Sequence, residues 1–163
     1  MAGEPGHQCK RGVRCAADYQ ARISGPLLDR IDLRIEVPSV SASDLIRPAA
    51  AEPSEAIAKR VLNAREMQHA RYSKEVAEDG APGAIINAHV SNSVIEKAAA
   101  PDKEGRQLLE DAANALKFSA RGFHRILKVA RTLADLEGTE QVGRIHLAEA
   151  ISYRMAGERL VTA

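Results

Sequence analysis

A mainly α-helical bundle is the fold the sequence predicts, and three observations predict it. Aromatic residues make up 3% of the chain and tryptophan is absent, while alanine, leucine, arginine and glutamate abound, a composition suited to helices packed by aliphatic side chains. From residue 54 onward, apolar residues recur at helical spacing between capping residues. Only one stretch, with Leu33, Ile35 and Val37 set between Asp32, Arg34 and Glu36, alternates with the period of a half-buried strand.

A chain of 163 residues holds one ordinary core, or a small domain and a tail. Its 23 basic and 22 acidic residues leave a net charge of +1, so bulk charge favours neither nucleic acid nor membrane and any electrostatic function must be local. No apolar run approaches the roughly 20 residues of a membrane span. Residues 1 to 12 lack the hydrophobic centre of a secretory signal, which predicts a cytoplasmic protein without a membrane partner.

Taken in order, residues 1–13 carry Gly3, Pro5, Gly6 and Gly12 with little apolar content and read as a disordered tail. Cys9 and Cys15 lie near His7, but a closed zinc site takes four ligands and no complete finger spacing is present, so free thiols are favoured and no metal is assigned. "CAADYQARIS", Cys15 to Ser24, predicts about three turns of helix stopped by Gly25 and Pro26. The strand pattern follows. A single strand cannot satisfy its own backbone, and the chain offers it no obvious partner, which points to the last strand of a sheet lying upstream.

Ser41 or Ser43 can cap a short helix that halts before Pro48, and "PAAAEP" reads as a linker. Ser54 caps a long helix through Val76 in which Ile57, Val61, Ala64 and Gln68 share a face, with Lys59, Arg60, Arg65 and Arg71 making the others basic. "EDGAPGAIINAHVS" is punctuated as a loop, with a short extended piece at Ala84 to Asn87. Ser91 or Asn92 starts a third helical segment that stops before Pro101.

Asp102 begins a fourth helix with Leu108, Leu109, Ala112 and Leu116 as its buried stripe. The fifth is the most regular: Phe123, Ile126, Leu127, Ala130, Leu133 and Ala134 recur between a Ser119 cap and a Gly138 stop. A sixth buries Ile145, Leu147 or Ala148, Ile151 and Met155.

Free-standing catalysis has poor support. The chain contains no phosphate-binding glycine loop, no hydrophobic run ending in an acidic pair for magnesium, and no His/Glu zinc spacing. Arginines stand out instead. Arg121, Arg125 and Lys128 line one side of the fifth helix with His124 and Arg131 beside them, and no acidic residue lies between Ser119 and Thr132. Such a stripe suits phosphate, whose oxygens accept the forked guanidinium donors; the plainer reading is a solvated face or pairing with distant glutamates. Arg30, among leucines and next to Asp29 and Asp32, is either half of a structural Asp/Arg pair or an arginine presented to an anion on another surface.

"YQARISGPLLDRIDLRIEVP", "AREMQHAR", "LKFSARGFHRILKVARTLADLEG" and "HLAEAISYR" occur in that order over nearly everything from Cys15 to Arg154. Through them the chain resembles the carboxy-terminal part of a magnesium chelatase-like AAA+ ATPase of the bacterial competence-associated helicase type. The resemblance implies that residues 14–38 close a truncated nucleotide-binding core whose Walker motifs lie upstream, and that residues 39–163 form the helical lid. It also implies ATP and Mg2+ as ligands of the full-length protein, with none for this chain alone, which would be inactive by itself.

By the same resemblance Arg30 in "LLDRID" matches the arginine finger and Arg121 in "SAR" the sensor 2 arginine, while Arg125, Lys128 and Arg131 are further candidates for phosphate or interface contacts. The implied partners are the other subunits of a homo-oligomeric ring, and DNA. The family's cysteine-rich insert is represented here only by Cys9 and Cys15. Two other function classes compete: a helical nucleic-acid-binding module, and a structural interaction domain. Nothing in the chain supports a porphyrin pocket.

Overall fold

The computed structural model describes residues 18–19, 21–35, 37, 40, 45–46, 51–79 and 86–155. The tail at 1–13 lies outside the described residues, as do Cys9 and Cys15 and the caps at Ser41 and Ser43. The described residues form helices α1 (Gly25–Leu28), α2 (Ser54–Asp79), α3 (Asn92–Ala98), α4 (Lys103–Leu116), α5 (Ala120–Glu137) and α6 (Arg144–Met155). No strand occurs among them, so the fold is the mainly helical one expected. Contacts divide the chain into two units, Met1–Ala50 with Tyr153–Ala163, and Ala51–Ser152.

Unit Ala51–Ser152 is organised around α5, which packs against both α2 and α3. Its helices start where side chains can take up free backbone donors. Ser91 Oγ accepts from Val94 N–H, Asp102 Oδ1 from Gly105 N–H at 2.7 Å, and Ser119 Oγ from Gly122 N–H at 3.0 Å. Gly138 ends α5 at φ 80°, a conformation in which glycine carries no Cβ penalty. Ile126, Leu127, Ala130 and Ala134 of α5 are buried against Ile95 of α3 and Leu109 of α4. Leu108, Ala112 and Leu116 pack partly buried on the same core, so the stripe expected on α4 is present.

Three expectations need correction here. On α2, Ala64 and Gln68 are buried but Ile57 and Val61 are exposed, as is every residue from 54 to 63. The first turns of that helix flank an open groove of about 290 Å³ beside Asp135 to Gly138 instead of packing on α5. On α6, the buried positions are His146, Leu147, Ala150, Ile151 and Arg154, while Ile145 is 65% exposed and Met155 also faces out. The interior stripe is rotated from the one expected because His146, polar enough to be read as surface, turns inward: its Nδ1 accepts from Gly143 N–H and its Nε2 meets the Glu137 carboxylate. Between 86 and 90 the backbone bends and turns, so Ile86 and Asn87 are not extended.

Gly105 shows how tightly α4 sits. A Cβ there would lie 2.8 Å from Leu147 Cδ1, 2.9 Å from the Asp102 oxygen that caps the helix and 3.2 Å from Pro101 Cβ. Gly105→Ala is therefore expected to lower stability by about 1 to 3 kcal/mol through overpacking, despite alanine's better helix propensity. Thermal unfolding of the chain checks this; an unchanged or raised midpoint would contradict it.

In the unit of Met1–Ala50 with Tyr153–Ala163, Gly25 and Pro26 begin a helix where the sequence predicts a stop. Ser24 is the N-cap of α1, its Oγ accepting from Leu27 N–H, and proline is tolerated in a first turn because its missing donor has no intrahelical partner there. The preceding helix is seen at residues 18–19, and residues 21–23 are already turn and bend. Residues 31–35, expected as strand, pair with no strand. Leu33 and Ile35 are exposed, and backbone bonds from this stretch run from Ile31 N–H to Leu28 C=O and from Arg34 N–H to Tyr153 C=O, each at 3.1 Å. A strand needs a neighbouring ladder, and none is present among the described residues.

Candidate functional site

The basic residues of α5 separate by depth. Arg121, in the first turn, is exposed; Arg125 and Lys128 are half-buried; Arg131 is fully buried, at 0% exposure. Lys128 Nζ donates to the carbonyls of Ala88 and Val90, both at 2.9 Å, and so anchors the turn that precedes α3. Its charge is committed to that loop. His124, beside them, lies between the Ala120 carbonyl and the Glu96 carboxylate, each 2.7 Å from a ring nitrogen.

Arg131 belongs to a polar hub inside the domain. Its Nε donates to Asp135 Oδ1 at 3.1 Å, Nη1 to Glu140 O at 2.6 Å and Nη2 to Thr139 O at 2.5 Å, tying down the chain that leaves α5. Asp135, buried with it, also receives a fork from Arg71 of α2, Nη2 to Oδ1 at 2.5 Å and Nη1 to Oδ2 at 3.1 Å. Asn87 completes the set: its Nδ2 donates to Asp135 Oδ2 at 2.8 Å and to Thr132 Oγ1 at 3.0 Å, and its Oδ1 accepts from Tyr72 OH at 2.7 Å. Gln68 Oε1 accepts the Asn87 N–H.

The environment shifts each group as its position requires. Burial is the largest influence on Arg131 and, with Arg71 as a like charge nearby, holds its pKa below the ordinary value against the pull of Asp135. Burial also opposes the charge on Arg71, but the hydrogen bonds and charge of Asp135 outweigh it and raise that group. Burial raises Tyr72, with Arg71 working the other way. Two guanidinium groups held by one carboxylate make a firm internal staple.

Helical periodicity places Arg131 beside the candidate phosphate stripe and does not reveal this hub. The missed signal was local: Asp135 stands four residues after Arg131 on the same helix, just past the acid-free window that ends at Thr132. Arg71 was read as part of a basic face, although its partner lies on another helix far along the chain.

Arg30 lies in the turn that follows α1, exposed, with its backbone N–H donating to Leu27 O at 3.0 Å. Its neighbour Asp29 is ion-paired with Arg154, and the Arg34 guanidinium donates to Leu28 O at 3.0 Å. Arg34 Nε and Arg154 Nη1 are buried without an acceptor. Arg30 and Arg121 belong to different units, and both residues are exposed. No helix among the described residues is long and apolar enough to cross a membrane.

These features define a helical, lid-type domain with an arginine-bearing turn ahead of it. The chain belongs to the magnesium chelatase family: the family model described as magnesium chelatase, subunit ChlI C-terminal, matches residues 51–154, and the one described as magnesium chelatase, subunit ChlI, matches residues 1–45. It is thus the C-terminal region of a magnesium chelatase-like AAA+ protein. Among curated relatives it is 41% identical over 137 residues to competence protein ComM of Haemophilus influenzae, a match covering 83% of this chain and 25% of that protein. It is 36% and 34% identical over 161 residues to the uncharacterized protein YifB of Salmonella typhimurium and of Escherichia coli, each match covering 96% of this chain and 30% of the relative. The chain therefore spans between a quarter and a third of the length of the relatives it matches.

Proposed function

We propose that this chain is the lid and finger region of a ring-forming, cytoplasmic ATPase that acts on DNA, with ATP and its Mg2+ as the ligands of the full-length protein. In this reading Arg30 reaches the nucleotide of a neighbouring subunit and neutralises charge on the transferred phosphoryl group, while Arg121 contacts phosphate from the lid. Such an arginine gains its contact only when nucleotide is present, so it biases the lid between nucleotide states. The observation that carries the proposal is the sorting of α5: Arg121 alone of its stripe is exposed in the first turn, while Lys128 holds the turn before α3 and Arg131 is buried in the polar hub. Family membership supports the same assignment.

Replacing Arg121 tests it. In the full-length protein, Arg121→Ala is expected to lower ATP turnover by about 10-fold or more, the effect of losing one charge-assisted phosphate contact worth about 1.5 to 3 kcal/mol. Unfolding of the helical domain should be unchanged, since the side chain is exposed. Turnover equal to that of the parent protein would contradict the assignment.

The nucleic-acid-module reading loses ground on the same observation, because a salt-sensitive phosphate surface needs several free cations and α5 retains few. Direct titration of the chain with single-stranded and duplex DNA at two salt concentrations separates the readings. Tight binding that weakens steeply with salt would favour the module.

A further inference from the structure

The turn that carries Arg30 is fastened on both sides, and both fastenings lead to the same place. Asp29, immediately before it, pairs with the Arg154 guanidinium, and Arg34, after it, donates its backbone N–H to Tyr153 C=O at 3.1 Å. The Arg34 side chain also turns back to donate to Leu28 O at 3.0 Å, closing the loop from 28 to 34 around Arg30. The Arg154 side chain is 10% exposed and that of Asp29 32%, so the pair is shielded well beyond an ordinary surface bridge. Asp29 N–H is meanwhile held by Gly25 O at 2.9 Å, which locks the residue into the end of α1.

A loop tied in this manner loses the freedom to swing the side chain at its apex. A finger arginine contributes by arriving in one geometry, and a misplacement of about 1 Å can cost about 100-fold in rate. We propose that Arg154 is a positioning residue: through its ion pair with Asp29 it fixes the backbone from which Arg30 reaches the neighbouring subunit's nucleotide. The inference rests on the reading of Arg30 as the finger, and it adds to that reading a residue at the far end of the chain.

The test is steady-state ATP hydrolysis by the full-length protein carrying Asp29→Asn, Arg154→Met, or the reversed pair Asp29→Arg with Arg154→Asp, alongside Arg30→Ala. Each single substitution should reduce kcat by about 10- to 100-fold while leaving KM for ATP within about twofold, since the geometry of the transition state is disturbed and ground-state binding is not. The reversed pair should recover most of the lost kcat. Asp29→Asn preserves the volume of a half-exposed side chain, so it reads out positioning even if Arg154→Met weakens the fold, which melting curves would reveal.

Unchanged kcat in both single variants, with Arg30→Ala inactive, would overturn the positioning role and leave the finger intact. Loss of kcat with a matching rise in KM and no recovery in the reversed pair would assign the ion pair to general stability and likewise overturn the proposal. Normal turnover by Arg30→Ala would instead remove the finger assignment itself.

Discussion

Asp135→Ala is expected to cost the helical domain about 3 to 5 kcal/mol of stability, the typical penalty for removing one partner of a buried ion pair. The reason is what remains. Arg131, wholly enclosed, would keep its bonds to the Glu140 and Thr139 carbonyls but lose its counter-charge, and Arg71 and Asn87 would each lose an acceptor. Domains of this size are marginally stable, by about 5 to 15 kcal/mol, so the loss is a large fraction of the whole. Urea unfolding of the chain measures it through the shift in midpoint. A change below about 1 kcal/mol would mean that the hub relaxes or hydrates without cost, contrary to its close geometry.

Substitution of both arginines and the aspartate together by apolar residues of similar volume is a different experiment. Removing all the charges at once leaves no buried charge unpaired, although the Glu140 and Thr139 carbonyls and Asn87 each lose a partner, and buried ion networks are often no more stabilising than good apolar packing. The severity of Asp135→Ala is thus a statement about the orphaned arginines.

Arg30→Ala is expected to reduce ATP turnover of the full-length protein by about 10³-fold or more, the range associated with arginine fingers. Arg30 is exposed, so its removal should change melting of the chain far less than it changes turnover. That separation of activity from stability distinguishes a finger from a structural arginine such as Arg131, whose loss would act on both. Arg30→Lys should recover little, because an ammonium on a flexible stem does not reproduce the planar fork.

Much of the helical domain could be read from residues because its information is local. Ser91, Asp102 and Ser119 announce helix starts through side-chain oxygens placed to accept from the next turn, and each is seen to do so. The apolar stripe of α5 is regular enough to predict Ile126, Leu127, Ala130 and Ala134 as interior, and all are buried. Failures came where a polar residue was interior or an apolar one was not. His146 and Arg131 turn inward because specific partners receive them, and periodicity carries no information about those partners.

The alternation around Leu33 and Ile35 reads as an orphan strand whose sheet lies upstream, and among the described residues it pairs with no strand. Alternation records which faces a segment could bury, but the ladder itself comes from other parts of a protein. Gly25 and Pro26 misled in another manner, since the same pair can follow one helix or open the next, and only the Ser24 cap decides between them. The candidate site was legible at Arg121 and Arg30 only through motif resemblance. Their exposure gives that resemblance physical sense, whereas Lys128 and Arg131 looked equivalent in sequence and turned out to be engaged elsewhere.

In the proposed function this chain completes a nucleotide site on another subunit. Mixed assemblies test it most directly: full-length subunits carrying Arg30→Ala are combined with subunits disabled in the upstream phosphate loop but retaining Arg30, and ATP turnover is measured across mixing ratios. Each population is expected to be inactive alone. If Arg30 acts across the interface, mixing restores turnover, with a maximum at intermediate ratios, because one subunit supplies the pocket and the other the finger. Turnover that stays at background at every ratio, in assemblies shown to contain both subunits, would contradict the account.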